Sequence, residues 1–242
     1  MITVYTATFN ESKIIQFFID HYRSRFPNCD IVVYDNESTD KTVEIAKLNN
    51  CEIIPYSSNG VINDQLLMDI KNTCWKSSKT DWVLTCDTDE LLDINEQQLT
   101  YENSCGTTKI KSEAWQMVNM ADSPKSLKDI KYGWRDNVVG GYCLPYDKDL
   151  LFNKKHVDIN YVDYGCHTAH SKGTIKYSDK PYKMYHYKYT DINAFLAKQR
   201  LNRSKITAAH IKLMGGNNCL KDDNGQRAEF NLARRGAIKI FE

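Results

Sequence analysis

The chain has 242 residues, of which 41% are hydrophobic, 11% aromatic and 26% charged. That composition excludes a disordered chain and suits one large domain, or a domain with a smaller appendage. With 32 Lys and Arg against 31 Asp and Glu the formal net charge is +1, so no global field favours nucleic acid or a membrane surface, and an anionic substrate must be held locally.

The 8 cysteines are scattered without a Cys-x-x-Cys pair. The first residues read as a strand and show no signal-peptide pattern, so the expectation is reduced thiols in a cytoplasmic setting. No apolar run approaches the ~20 residues of a membrane helix, and no membrane span is expected.

Residues 2–9 (ITVYTATF) are β-branched and aromatic and stop at Asn10-Glu11-Ser12. From Ser12 the apolar residues Ile14, Ile15, Phe18, Ile19 and Tyr22 recur at helical spacing, so strand, loop and helix follow in order. Phe26-Pro27-Asn28 ends the helix, Asp30–Tyr34 is a second buried strand, and residues 35–40 (DNESTD) form a polar turn. A helix over 41–49, a strand over 52–56 and a long helix over 61–77 follow, the last with Ile62, Leu66, Leu67, Ile70, Cys74 and Trp75 on one face. Strands alternating with helices predict right-handed βαβ units and a mostly parallel sheet.

The fourth strand begins at Trp82 and runs into Asp87-Thr88-Asp89-Glu90. Carboxylates are almost never buried unless paired or holding a cation, so these must lie where the strand emerges. In extended backbone Asp87 and Asp89 project to the same side. Two oxygen donors side by side suit Mg²⁺ or Mn²⁺, whose shell substrate phosphates usually complete. The competing expectation is an Asp-rich turn that caps a following helix through Asp89 or Asp93. Ligands of open α/β sheets bind beyond the carboxyl ends of the strands, so the loops over 6–10, 35–40, 57–63 and 87–90 are expected on one rim.

After Asp93 the βα rhythm is expected to stop. Residues 109–120 read as a strand, then come Ser123-Pro124, a Gly-rich stretch over 133–145, a strand over 149–156, the Gly165-Cys166-His167 segment and a Lys- and Tyr-rich run ending at 187. From Asp191 the pattern is helical and partly basic, Gly215-Gly216-Asn217-Asn218 interrupts it, and the tail is polar and then mildly amphipathic.

Taken together, Phe9-Asn10-Glu11, Asp20-His21-Tyr22, the turn Tyr34-Asp35-Asn36-Glu37-Ser38-Thr39-Asp40, the Trp82–Leu92 stretch, Gly165-Cys166-His167 and His186-Tyr187-Lys188-Tyr189 resemble the GT-A glycosyltransferases of the family 2-like, Asp-x-Asp-Glu type. The resemblance covers the first ninety residues well and the stretch to about residue 200 loosely. It implies a Rossmann-like α/β GT-A nucleotide-sugar-binding fold, a mostly parallel central sheet with a smaller mixed acceptor-side portion. The expected division is a nucleotide-sugar-binding half over 1–95, an acceptor-binding and metal-completing half over 96–190 and a C-terminal helical segment over 191–242, in one compact catalytic domain.

The resemblance also assigns residues. Thr6, Thr8, Asn10, Glu11, Asp35 and Asn36 would hold the base and ribose, with Asp87 and Thr88 completing the donor site. Asp87, Asp89 and His167 would hold Mn²⁺ or Mg²⁺, Asp89 as the direct ligand and Asp87 on ribose or through water. Lys71 and Lys76 would reach the diphosphate or simply be solvated. The implied reaction moves a sugar from a nucleoside diphosphate-sugar, UDP favoured, to a hydroxyl of a carbohydrate or glycoconjugate acceptor. For an inverting transfer Asp163 and Glu113, with Asp122, are the candidates for general base.

Residue chemistry leaves rivals open. Residues 35–40 suit an Asx turn, Glu11 an early-helix acid, and His167 a core histidine or, with Cys166 and His170, a zinc ligand. A nucleotidyltransferase also uses paired Asp on an α/β sheet, although Thr8-Phe9-Asn10-Glu11 lacks the glycines of a phosphate loop. A sugar-nucleotide or glycan-binding module without turnover is the non-catalytic alternative.

Overall fold

The computed structural model describes residues 1–122, 126–135, 147–207 and 221–241. Ser123-Pro124, most of the Gly-rich stretch and Gly215–Asn218 lie outside the described residues. The chain divides into two compact units. The first is Met1–Ser57, Asp64–Ala114 and Pro145–Tyr185, and the second is Ser58–Asn63, Trp115–Leu144 and His186–Glu242.

The first unit is an α/β layer structure. Its strands β1 (Ile2–Thr8), β2 (Asp30–Asp35), β3 (Glu52–Pro55), β4 (Trp82–Asp87) and β8 (Leu151–Asn153) form one sheet in the order β3-β2-β1-β4-β8. All neighbours are parallel except β8, which runs antiparallel to β4. The helices α1 (Ile15–Arg25), α2 (Thr42–Leu48) and α3 (Asp64–Thr73) make the crossovers, and this is the mostly parallel α/β arrangement expected from the sequence.

Register decides what stands at the rim. Thr8 is level with Asp35, Ala7 with Asp87 and Asp35 with Pro55. In a parallel sheet equal register puts all the strand ends at one edge. The bodies of β1, β2 and β4 are buried, and Tyr5, Val32, Trp75, Val83, Phe152, Ile159 and Tyr161 pack into one core beneath it. Trp75 meets Phe152 edge to face at 5.2 Å between centroids.

Several expectations need correction. The helix expected over 61–77 is only α3, starting at Asp64 and ending at Thr73, and its one fully buried residue is Lys71 rather than a member of the apolar face. The acids after β4 cap no helix: Glu90–Leu92 is itself a strand, β5, and the following helix of the competing expectation, α4 (Glu96–Ser104), begins only beyond it. Asn95 caps α4 in a reciprocal capping box with Gln98, so the cap lies beyond both Asp89 and Asp93. The strand expected over 149–156 shrinks to β8 and is followed by the hairpin β9 (Val157–Tyr161) and β10 (Ala169–Gly173). Glu11 precedes α1, whose first turn holds no acid. Its carbonyl accepts the N–H groups of Ile14 and Ile15.

The second unit contains β7 (Tyr132–Trp134), β12 (Ile238–Lys239) and the ends of β6 (Ser112–Val118) and β11 (Tyr182–Tyr189), in the order β12-β7-β6-β11. Its helices α5 (Ile192–Lys205) and α6 (Asp223–Gly236) are capped by Asp191 and Asp222. Val118, Tyr189, Ile192, Phe195, Leu196, Phe230 and Ala233 form its core. Tyr189 therefore serves packing, with its hydroxyl 2.8 Å from Glu229. Among the described residues no helix is long and apolar enough to cross a membrane.

His21 of α1 ties the first unit's helix to β5, its Nε2 lying 3.0 Å from the carbonyl of Leu92. Burial, assisted by the Arg25 charge, pushes the imidazole down to about 4. The unfolded chain binds this proton near pH 6.5 and the folded one does not, so the contribution is present above 6.5 and lost as pH falls towards 4. The prediction is that denaturant midpoints fall between pH 6.5 and 5. In His21→Gln, which keeps a donor for Leu92, the slope should shrink by up to about 1.4 kcal/mol per pH unit.

Candidate active site

The rim is built first by the turn after β2. Asp35 Oδ2 accepts the Ser38 N–H, three residues on, at 3.1 Å, and Glu37 takes a positive φ of 56°. Asn10, also at φ 56°, reaches across from the β1 loop: its Oδ1 accepts from Thr39 N–H at 2.8 Å and its N–H donates to Ser38 Oγ at 2.9 Å. The Glu11 N–H donates to Thr42 Oγ1 at 2.8 Å, and the Asn36 N–H to the Thr8 carbonyl at 2.9 Å. The side chain of Asn10 thus locks two loops together, and this interaction occupies its amide oxygen.

Two oxygens in this framework have no such partner. Among the described residues Asp35 Oδ1 and Thr8 Oγ1 are buried without a hydrogen bond, and the register sets their residues side by side. A buried acceptor left unmade costs about 1–3 kcal/mol, so each calls for an explanation. Thr6 is committed instead, its Oγ1 lying 3.1 Å from Thr88 Oγ1.

The end of β4 carries a four-membered charge cluster. Lys71 Nζ sits 2.6 Å from Asp87 Oδ1, and Lys148 Nζ lies 3.4 Å from Asp87 Oδ2 and 2.5 Å from Glu90 Oε1. Glu90 Oε2 accepts the Asp87 N–H at 3.0 Å. Burial alone would raise the Asp87 carboxyl, but the ammonium groups of Lys71 and Lys148 hold it well below the usual carboxylate range. Lys71 is opposed by the same burial and nonetheless stays charged beside Asp87. Lys148 was not singled out by its sequence context. Lys76 is exposed, 5.6 Å over the Trp75 ring.

Asp89 occupies the turn between β4 and β5 and is half-buried. His167 comes from the loop between β9 and β10. Burial and then the Lys148 charge push its imidazole down to about 4, so it is neutral at pH 7. Gly165 makes room for that ring, since a Cβ there would come within 2.2 Å of His167 Cδ2. Cys166, at φ 53°, is buried and its thiol is pushed up to about 11 by burial, which disfavours a thiolate ligand, and His170 is exposed on β10. Among the described residues no group of three His, Cys, Asp or Glu side chains is gathered as a closed metal cage requires.

Of the three candidate bases, Glu113 is half-buried on β6, and Asp122 is exposed and paired with Arg234 at 2.9 Å. Asp163 has both oxygens engaged by the His167 loop, accepting the N–H of His167 at 2.7 Å and of Thr168 at 2.9 Å. Asp163→Ala should therefore destabilise the first unit by about 1–3 kcal/mol in denaturant melts, whereas Asp163→Asn, which retains one acceptor, should lose less. Equal stability of both variants with the parent would show that the loop does not depend on these bonds.

Residues 3–102 match the family model described as Glycosyl transferase family 2. No curated protein sequence matches the chain. Among solved structures, S. aureus TarS 1-349 in complex with UDP is 17% identical over 84% of this chain and 64% of that one, with a TM-score of 0.48. The same fragment with UDP-GlcNAc is 18% identical over 97% of this chain and 72% of that one, with a TM-score of 0.47. Glucosyl-3-phosphoglycerate synthase from Mycobacterium tuberculosis, in complex with Mn²⁺, UDP and glucosyl-3-phosphoglycerate, is 20% identical over 47% of this chain and 44% of that one, at 0.33. The chain spans about two thirds of the length of the first of these, at 64%.

Proposed function

We propose that this chain, which carries the Glycosyl transferase family 2 region in residues 3–102, transfers a sugar from a nucleoside diphosphate-sugar, UDP favoured, to an acceptor hydroxyl of a carbohydrate or glycoconjugate. The observation that carries the reading is the pair of buried, unpartnered oxygens at the rim, Asp35 Oδ1 and Thr8 Oγ1. A carboxylate oxygen is an acceptor only, which suits the N3–H of uracil, and the threonine hydroxyl can give or take a bond to a base carbonyl or ribose. Asn10, Glu11 and Asn36 hold the two loops in register around these oxygens, and Thr6 and Thr88 join β1 to the end of β4.

The residues also fit a divalent cation, Mn²⁺ or Mg²⁺. Asp87, Asp89 and Glu90 carry three negative charges against the two of Lys71 and Lys148, an excess that repels a diphosphate unless a cation intervenes. The ammonium groups of Lys71 and Lys148 against Asp87 disfavour a cation there but leave each of its oxygens a lone pair for the ribose of the donor, so Asp89 and His167 are the residues that would hold the ion. His167 is in the neutral form that ligates, and substrate phosphate oxygens usually complete such an open shell. When bound, the ion would neutralise charge developing on the departing diphosphate. Glu113 is carried forward as the candidate acceptor-side base, and Asp163 is assigned to holding its loop.

The test is a panel of nucleotide sugars with Mn²⁺ or Mg²⁺, scored by release of free nucleoside diphosphate. Release from a UDP-sugar is expected, with Asp89→Ala slower by about 100-fold or more. If Asp89→Ala matched the parent, the metal assignment would be lost. Thermal stabilisation by UDP without turnover on any sugar or acceptor would make the protein a binding module.

A further inference from the structure

Lys71 and Lys148 are ammonium groups with side chains only 6% and 4% exposed, yet they converge on an Asp87 carboxylate that is 33% exposed. Removing two ammonium ions from water is expensive, and replacing a buried ion pair by apolar groups is often neutral or stabilising. Stability is therefore a poor reason for this cluster. Its geometry supplies a better one.

Lys71 comes from α3 and takes Oδ1, and Lys148 comes from the segment ahead of β8 and takes Oδ2. Glu90 fixes the backbone of Asp87 through Oε2 and anchors Lys148 through Oε1. Lys148 is itself pinned, its N–H donating to Ser112 Oγ at 2.8 Å and its carbonyl accepting from the same hydroxyl at 2.7 Å. Both oxygens of the Asp87 carboxylate and its backbone N–H are thereby held from behind, and Asp87 is the member of the cluster that reaches the rim.

We infer that Lys71 and Lys148 are positioning residues of the donor site: a two-lysine clamp fixes Asp87 where it meets the nucleoside part of the donor. Lys148 lies outside the family match of 3–102, so this half of the clamp is a property of this chain's second stretch. The inference rests on the donor-site reading above. The clamp acts through Asp87, and its loss is felt by the nucleoside whether or not phosphates are attached.

The test measures dissociation constants for UDP and for uridine, with Mn²⁺ present, by calorimetry. Lys148→Met alone would strand Glu90 as a buried charge, so the variant is Lys148→Met with Glu90→Gln, which keeps an acceptor for the Asp87 N–H. Lys71→Gln, which keeps a donor to Asp87, forms a second arm. Phe26→Leu, a core change at the far end of α1, is the stability control.

Both clamp variants should weaken UDP and uridine alike by about ten-fold, the size of one charge-assisted hydrogen bond. Phe26→Leu should keep parental affinities at a comparable or larger loss of melting temperature. In an Asp87→Asn background the clamp substitutions should have no further effect on affinity. Parental affinities in the clamp variants, a loss confined to UDP, an equal loss in Phe26→Leu, or full additivity with Asp87→Asn would each overturn the clamp. A parent that binds neither UDP nor uridine would instead overturn the donor-site reading, and the clamp with it.

Discussion

The charge at the end of β4 is the constraint on which the arrangement of the first unit depends. Trp82, Val83, Leu84 and Cys86 are buried between β1 and β8, so the strand cannot shift outward to give its acids to water. Asp87 and Glu90 must then meet positive charge where they stand. The fold answers with Lys71, placed on the buried side of α3, and with Lys148. The antiparallel run of β8 explains how Lys148 arrives: Leu84 pairs with Leu151, and the Thr85 N–H donates to the Leu150 carbonyl at 2.9 Å. Chain preceding β8 therefore travels alongside Thr85 to Asp87. A parallel strand in that place would carry the same residues away from the rim.

The other half of the rim follows from register. Thr8 beside Asp35 and Ala7 beside Asp87 bring the ends of three strands to one level, and tight turns keep them there. The turn is satisfied internally through Asn10, Ser38 and Asp40, which leaves Asp35 with one oxygen used and one buried without a partner. The contrast between a saturated turn and two unsatisfied acceptors separates scaffold from binding surface more sharply than exposure does.

Much of this was legible in the sequence, and the exceptions share a cause. β1, β2 and β4 with their rim loops are readable because buried parallel strands are continuous apolar runs and their ends are abruptly polar. The sequence leaves Lys71 either reaching the diphosphate or solvated, because hydrophobic periodicity assigns charges to the wet face, whereas in the fold it is buried against Asp87, sixteen residues further on. Lys148 falls between the Gly-rich stretch and the strand expected from Asp149, where nothing local singles it out, and only pairing across the sheet gives it a role. α4 enters the sequence reading only as the competing expectation, with its cap at Asp89 or Asp93, because its face is weakly apolar and its start is marked by the Asn95–Gln98 capping box instead. Asp163 reads as available for a base because nothing local reveals that the loop four and five residues on folds back onto both of its oxygens.

The central claim is that Asp35 at the rim accepts a hydrogen bond from the donor base. The most direct measurement is competition between UDP and its N3-methylated analogue for the protein in the presence of Mn²⁺. The account predicts that methylation, which removes the N3–H and adds bulk against Asp35, lowers affinity by about ten-fold or more, and that this discrimination disappears in Asp35→Ala. Equal affinity for the two nucleotides in the parent protein would contradict it.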